Sequence, residues 1–141
     1  MSDVLGSALA CSADERIHEA LRRAGYEVTS APSCTEALPR VRHDHWSVIA
    51  LDDSTGRDTL KYLHGLPGVR RRDLFVVAFG DRVETGNRFQ AWSRSVDLVV
   101  HPDDFEHLRR RIDDGLREKE EFYRRFCTLQ RDAGALLGAH A

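Results

Sequence analysis

Short apolar runs alternate along this chain with amphipathic stretches, and no other feature restricts its fold as much. Five of the runs have the length and composition of strands. They are Val4–Cys11, Tyr26–Ala31, Trp46–Leu51, Leu74–Phe79 and Asp97–Val100. The third and fourth are almost continuously apolar, which is typical of strands buried on both faces. The alternation predicts an α/β sandwich with a five-stranded parallel sheet and right-handed crossovers.

Local signals mark the starts and ends of the helices. Ser12–Glu15 and Ser33–Glu36 have the spacing of capping boxes, in which a serine and a glutamate satisfy free amides at a helix start. Gly25 is expected to end the first helix. Pro39 lies six residues after the second cap and lacks the N–H that a regular helix needs. We therefore expect the second helix to be kinked or to start late.

The length of the final helix sets the domain organisation. A chain of 141 residues suits one domain with an appendage. The last predicted helix starts near Asp103 and continues to about Asp132, which at 1.5 Å per residue is ~45 Å, more than a small sheet can cover. We expect a domain over 1–118 and, over 119–141, a helical extension with a flexible tail.

Apolar residues along this helix are expected to have two different roles. One stripe, expected to face the core, consists of Phe105, Leu108, Ile112 and Leu116. Past it, Phe122, Phe126 and Leu129 recur at i, i+4 and i+7. An exposed apolar stripe of this kind usually marks a partner surface. The same stripe could instead fold back onto its own domain after a break, and the sequence favours neither outcome.

Composition excludes several classes of function. Lys and Arg number 21 against 23 Asp and Glu, so the net charge of −2 gives no reason to expect a nucleic-acid partner. No apolar run approaches the ~18–20 residues of a membrane span, and the start of the sequence lacks a basic leader. Cys11, Cys34 and Cys127 are odd in number and far apart, which predicts neither a disulfide scaffold nor a cysteine zinc site and suits the cytoplasm.

In a parallel α/β sheet the functional crevice lies beyond the carboxyl ends of the strands. The candidate site residues are therefore those at the predicted strand ends. They are Ala10-Cys11-Ser12, Asp52-Asp53, Phe79-Gly80-Asp81 and His101-Pro102.

The order and spacing of these pieces over residues 4–118 resemble a response-regulator receiver domain. The most family-like pieces are Ala24–Val28, Ser33–Leu38, Trp46–Asp52 and Leu98–Pro102. The resemblance implies a flavodoxin-like (βα)5 fold in a bacterial-type regulatory system. It also implies a site in which an acidic pair after the first strand holds Mg²⁺ and an Asp after the third accepts a phosphoryl group. A Thr or Ser after the fourth strand and a Lys before a proline after the fifth contact the phosphate.

Most of that site is replaced in this chain. Asp52 matches the phosphoacceptor, with Asp53 beside it as a fallback, but Val4 to Ala13 contains no acidic residue. Asp14 and Glu15 come later, in the first helical turn, where interaction with the helix dipole is the expected role.

The other replaced positions follow the fourth and fifth strands. Phe79 and Gly80 stand where the hydroxyl would be, so a bulky ring is expected in its place. His101 stands where the Lys would be, and Pro102 is retained, which under the resemblance implies a cis bond between them. Leu98 stands where many receiver domains carry a Tyr or Phe whose side-chain conformation reports the state of the site.

The resemblance therefore implies a pseudo-receiver: a signalling or scaffolding module without catalysis, cofactor or metal, acting through a protein partner or as a homodimer. The candidate interface residues are Leu98, Phe122, Tyr123, Phe126 and Leu129. One alternative is an atypical receiver phosphorylated on Asp52, and another is a flavodoxin-like cofactor-binding domain.

The remaining charged motifs have plainer interpretations. His43-Asp44-His45 is expected to be solvated rather than to bind a metal, and the triplets Arg70–Arg72 and Arg109–Arg111 to lie on solvated faces. His101 is expected to form either a structural hydrogen bond at the strand end or a charge-assisted pair with Asp52 or Asp53.

Overall fold

The computed structural model describes residues 5–54, 57–66 and 71–139, the side chains of 34 and 135–139 excepted. The strands are β1 (Ser7–Cys11), β2 (Glu27–Ser30), β3 (Val48–Asp52), β4 (Phe75–Phe79) and β5 (Leu98–Val100). The helices are α1 (Glu15–Arg23), α2 (Cys34–His43), α3 (Arg57–His64), α4 (Arg88–Arg94) and α5 (Leu108–Ala139), with a 3₁₀ helix over Pro102–His107. The sequence also predicts that the third helix stops at Pro67-Gly68, and these two residues lie outside the described part of the chain.

The five strands form one parallel sheet in the order β2-β1-β3-β4-β5, which confirms the predicted α/β fold. Cys11 of β1 lies opposite Leu51 of β3, and Asp52 lies opposite Phe79 of β4. The carboxyl ends of β1, β3 and β4 therefore meet at one edge of the sheet.

Alternate residues of each strand face two separate core layers, so helices cover both faces of the sheet. One layer joins the strands to α1 and α5, and includes Val48, Ala50, Ile17 and Ile112. The other joins them to α2 and α3, and includes Ile49, Leu51, Val41 and Leu63. β3 is therefore buried through both layers along Val48–Leu51, and Asp52 at its carboxyl end is partly exposed.

The capping box predicted at Ser12–Glu15 is wrong. α1 begins at Glu15, and the side chain of Asp14 caps it by accepting a hydrogen bond from Arg16 N at 2.9 Å. The Ser12 hydroxyl instead accepts from Asp14 N at 3.0 Å. Gly25 follows the helix with a φ of +99°, as its expected role as a helix stop requires.

α2 starts immediately after its predicted cap, since the Ser33 hydroxyl accepts from Glu36 N at 3.3 Å, so the expected late start is wrong. The helix then includes Pro39. Pro39 and Thr35, whose carbonyl loses its donor, are both exposed. Because both residues are exposed, water can reach this part of the helix and satisfy the freed carbonyl.

α5 has no break between Leu108 and Ala139, so the fold-back alternative is wrong. Phe105, Leu108 and Ile112 are buried as expected, but Leu116 is 39% exposed. Gly115, one residue earlier, takes the inward position, and a Cβ there would lie 2.6 Å from Phe75 Cζ. Among the described residues, no helix is both long enough and apolar enough to cross a membrane.

Candidate functional site at the carboxyl edge of the sheet

Asp52 ends β3 with its carboxylate half-buried and occupied by hydroxyl and amide donors. Ser54 donates to Oδ1 from its backbone N at 3.0 Å and from its hydroxyl at 2.7 Å. The hydroxyl of Ser12, after β1, lies 3.4 Å from Oδ2. Asp52 thus caps the turn after β3 in the manner of an Asx turn.

Asp53 points to a different partner. Its backbone N donates to Phe79 O at 2.8 Å, and its carboxylate receives Nε and Nη2 of Arg94 at 2.6 and 3.2 Å. Both side chains are about three-quarters buried, and forked contacts of this kind are among the stronger ion pairs. Gly80 allows Asp53 to lie this close to the end of β4, because a Cβ on residue 80 would lie only 3.2 Å from Asp53 Cβ.

Phe79 places its ring in the core and not in an open pocket. The side chain is 1% exposed and meets Phe105 edge to face, with ring centroids 5.7 Å apart. The end of β4 therefore supplies no side-chain hydroxyl at this edge.

His101 is held by the turn that follows it. Its Nδ1 accepts from Asp103 N at 3.1 Å and so caps the 3₁₀ helix, and its backbone N donates to Thr85 Oγ1 at 2.8 Å. Of the two expected roles it has the structural hydrogen bond, and the charge-assisted pair with Asp52 or Asp53 is wrong. Every described peptide bond is trans, so the implied cis bond before Pro102 is also wrong.

The acidic residues at the start of α1 are engaged locally. Asp14 caps the helix and pairs with Arg16 at 2.7 Å. Hydrogen bonds from the Arg16 side chain lower the pKa of Asp14. In the described parts of the chain, no three His, Cys, Asp or Glu side chains are grouped so as to hold a metal, and this includes His43-Asp44-His45.

A second polar cluster lies at the opposite, amino edge of the sheet. Asp97 Oδ2, just before β5, accepts from Val76 N at 2.8 Å, from Arg71 Nη1 at 3.0 Å and from Lys119 Nζ at 3.3 Å. Lys119, on α5, also donates to Leu74 O at 2.6 Å. Burial lowers the pKa of Lys119, and Asp97 opposes that shift.

The first basic triplet is therefore not simply solvated. Arg71 is largely buried in the cluster with Asp97, and Arg72 stacks on Tyr123 with 4.6 Å from its guanidinium carbon to the ring centroid. Sequence reasoning missed Arg71, Lys119 and Arg94 as paired residues, because each meets its acid across more than 20 residues. Ser54 carried a local signal, since an Asp followed two residues later by a Ser is typical of an Asx turn.

Comparison with known proteins places this geometry in a known fold. Neither a family model nor a curated protein matches the chain. Among solved structures, the chemotaxis response regulator CheY4 of Vibrio cholerae matches with a TM-score of 0.58 and 17% identity over 77% of this chain and 99% of its own. A CheY-like receiver domain protein from Methanospirillum hungatei JF-1 matches with a TM-score of 0.63 and 20% identity over 83% and 98%.

This chain has the receiver-domain fold. A third structure matches the whole length of both chains, with a TM-score of 0.66 and 18% identity. That structure contains a yeast Spc42 trimeric coiled-coil segment, amino acids 181–211, as part of a fusion.

The receiver fold implies a magnesium ion beside the phosphoacceptor, but the residues present do not fit one. Cys11 and Ser12 stand at the end of β1, where the fold would place acidic ligands, and Asp53 is paired with Arg94. Mg²⁺ prefers hard oxygen ligands and is usually bound through carboxylates. Asp52 alone does not make such a site.

Proposed function

We propose that this receiver domain is a pseudo-receiver: a cytoplasmic signalling or scaffolding module that is not phosphorylated, catalyses no reaction and acts through protein contacts. The observation that carries the proposal is the engagement of both carboxylates after β3. Asp52 caps its own turn through Ser54, and Asp53 is neutralised by Arg94.

The surroundings of Asp52 also argue against a stable aspartyl phosphate. A phosphoryl group adds up to two negative charges and needs cationic donors. Two guanidiniums near this edge, those of Arg94 and Arg16, already pair with Asp53 and Asp14, and His101 accepts a hydrogen bond from the backbone of Asp103. Phosphoryl transfer depends mostly on positioned charge, and little of it is present here.

The exposed surface of α5 supports association as the mode of action. Phe122, Phe126 and Leu129 are 62%, 46% and 67% exposed, and a contiguous exposed apolar stripe of this kind usually marks an interaction surface. We propose 1–118 as the domain and 119–141 as the segment through which it associates, as a homodimer or with a signalling partner. The full-length match to a coiled-coil fusion is consistent with a helix of this kind.

Leu98 and Tyr123 are less available than the other candidate interface residues. Leu98 is half-buried against the core, and Tyr123 is half-buried under Arg72. We propose that they border the interface, and that Phe122, Phe126 and Leu129 form its centre.

Phosphorylation is tested by incubating the protein with acetyl phosphate and Mg²⁺ and measuring its intact mass. We expect no gain under conditions in which a receiver with a complete site gains about one phosphoryl group. Asp52→Asn and Asp53→Asn are the matched controls. A mass gain that disappears in Asp52→Asn and persists in Asp53→Asn would establish the alternative, an atypical active receiver.

A further inference from the structure

The exposed stripe of α5 continues a regular repeat. Positions that face inward or carry exposed apolar side chains are spaced three and four residues apart in turn, which is the spacing of a helix that packs along another helix. The series is Phe105, Leu108, Ile112, Gly115, Lys119, Phe122, Phe126, Leu129 and Ala133. Up to Lys119 it faces the domain's own sheet, and from Phe122 onward it is exposed.

We propose that a second copy of this chain covers the exposed part, with the two α5 helices antiparallel. In this pairing Phe126 packs on the partner's Leu129, and Phe122 on the partner's Ala133. The inference rests on the proposed association through residues 119–141 and adds its occupant, direction and register.

Charge selects the antiparallel direction. Arg125 and Asp132 are exposed and flank the stripe on the same side, one residue before Phe126 and Ala133. In an antiparallel pair the side chains of this flank meet each other, so Arg125 of each copy faces Asp132 of the other. In a parallel pair Arg125 would instead face Gln130, and neither ion pair would form.

Charge also selects the register. Sliding the antiparallel helices by one heptad in one direction brings Arg125 against Arg125, and sliding them in the other brings Asp132 against Asp132. Both slips place like charges at the edge of an apolar contact, which is unfavourable. The register with Phe126 opposite Leu129 is the one that avoids both.

Side-chain volume leads to the same arrangement. The antiparallel register places the ring of Phe122 over the small Ala133, so each of the four layers formed by the two copies holds one Phe ring against a smaller side chain. A parallel pair would place Phe122 against Phe122 and Ala133 against Ala133, with crowding in one layer and a gap in the other.

Competing contacts within the chain are weak or lie outside these layers. Arg125 pairs with Glu121 at 2.6 Å, but both side chains are mostly exposed, and such pairs contribute little. Lys119 is held by Asp97 and Leu74 O, so the body of the domain ends the available stripe there. The contact therefore spans 122–133 in each copy.

Charge reversal tests the direction and register on the full-length protein. We expect Arg125→Glu and Asp132→Arg each to weaken the dimer at least tenfold, measured by sedimentation velocity over a concentration series. Mixing the two variants should restore the dimer. In the mixed dimer the introduced Glu of one chain faces the introduced Arg of the other, and the unchanged Asp132 faces the unchanged Arg125. Glu120→Arg, on the outward face of the helix, is the control and should leave the dimer unchanged.

Cysteine cross-linking gives an independent readout in a Cys127→Ser background. We expect Phe126→Cys and Leu129→Cys chains to cross-link when mixed and neither to cross-link efficiently alone. Self-cross-linking of each variant, without a mixed product, would overturn the antiparallel arrangement in favour of a parallel one.

The outcomes separate this inference from the proposed function. A dimer that is lost in Phe126→Glu but indifferent to Arg125→Glu keeps the proposed association segment and overturns the register. A dimer unaffected by Phe126→Glu overturns both. A monomeric wild type overturns the second copy as occupant and leaves a heterologous partner as the proposed mode of action.

Discussion

Arg94 on α4 holds Asp53, the residue that directly follows β3, through two hydrogen bonds of 2.6 and 3.2 Å. The contact ties the loop after β3 to α4 across 41 residues of sequence. An ion pair between two largely buried side chains therefore occupies part of the carboxyl edge of the sheet.

Loss of this ion pair should destabilise the domain. Because the side chains of Asp53 and Arg94 are 21% and 26% exposed, we expect a coupling free energy of about 1–2 kcal/mol between them. A double-mutant cycle with Asp53→Asn and Arg94→Gln, followed by urea unfolding, measures it. A coupling free energy near zero would show that the ion pair adds nothing to the stability of the domain.

Gly115 should not tolerate a methyl group. In Gly115→Ala the new Cβ would lie 2.6 Å from the ring of Phe75, which is 1% exposed and cannot move away freely. We expect the free energy of unfolding to fall by about 1–3 kcal/mol, despite the better helix propensity of alanine.

Gly134 provides the matched control in the same helix. Nothing lies within 4 Å of a Cβ placed there, so Gly134→Ala should stabilise the helix by up to ~1 kcal/mol. Thermal unfolding of the two variants beside the wild type makes the comparison. Equal effects at the two sites would contradict the packing of α5 on the sheet.

Pro39→Ala should stabilise the protein. The substitution restores an N–H that can donate to the exposed Thr35 carbonyl, and alanine is the better helix former. We expect a gain of about 1–3 kcal/mol in urea unfolding. An unchanged midpoint would mean that α2 distorts around Pro39 at no cost.

Lys119 should make stability depend on alkaline pH. Burial holds its pKa below the ordinary 10.5, although Asp97 partly opposes the shift. Between these two pKa values the unfolded chain binds more protons than the folded one, so this residue's contribution to the unfolding free energy rises with pH. Below the folded pKa the contribution does not change.

The measurement is the difference in unfolding free energy between wild type and Lys119→Arg from pH 7 to 10.5, since arginine does not titrate there. Burial also raises the pKa of Tyr26, which acts in the opposite direction, but both proteins carry that residue and its effect cancels. A difference that is flat or falls with pH would contradict a desolvated Lys119.

Several features were predictable from the chain alone because their causes are local. The apolar runs around Val48–Asp52 and Phe75–Phe79 became the central strands, and Ser33 and Gly25 bound their helices. The boundary at Ser12 was wrong because Asp14 was also a competent cap and lay nearer the first helical turn. The local sequence shows which residues are able to cap a helix, but which of them does so depends on the folded structure.

The amino-acid sequence by itself determined the α/β alternation, the position of Asp52 at a strand end and the lack of acidic residues along β1, since each depends on residues a few places apart. The tertiary structure alone decided that Asp53 pairs with Arg94 and that Asp97 pairs with both Arg71 and Lys119. It also decided that α5 extends past the sheet with an exposed apolar stripe, which consists of Phe122, Phe126 and Leu129. These contacts join residues that are distant in the chain, and only the packing of the helices on the sheet selects among the many charges and apolar groups that could have met.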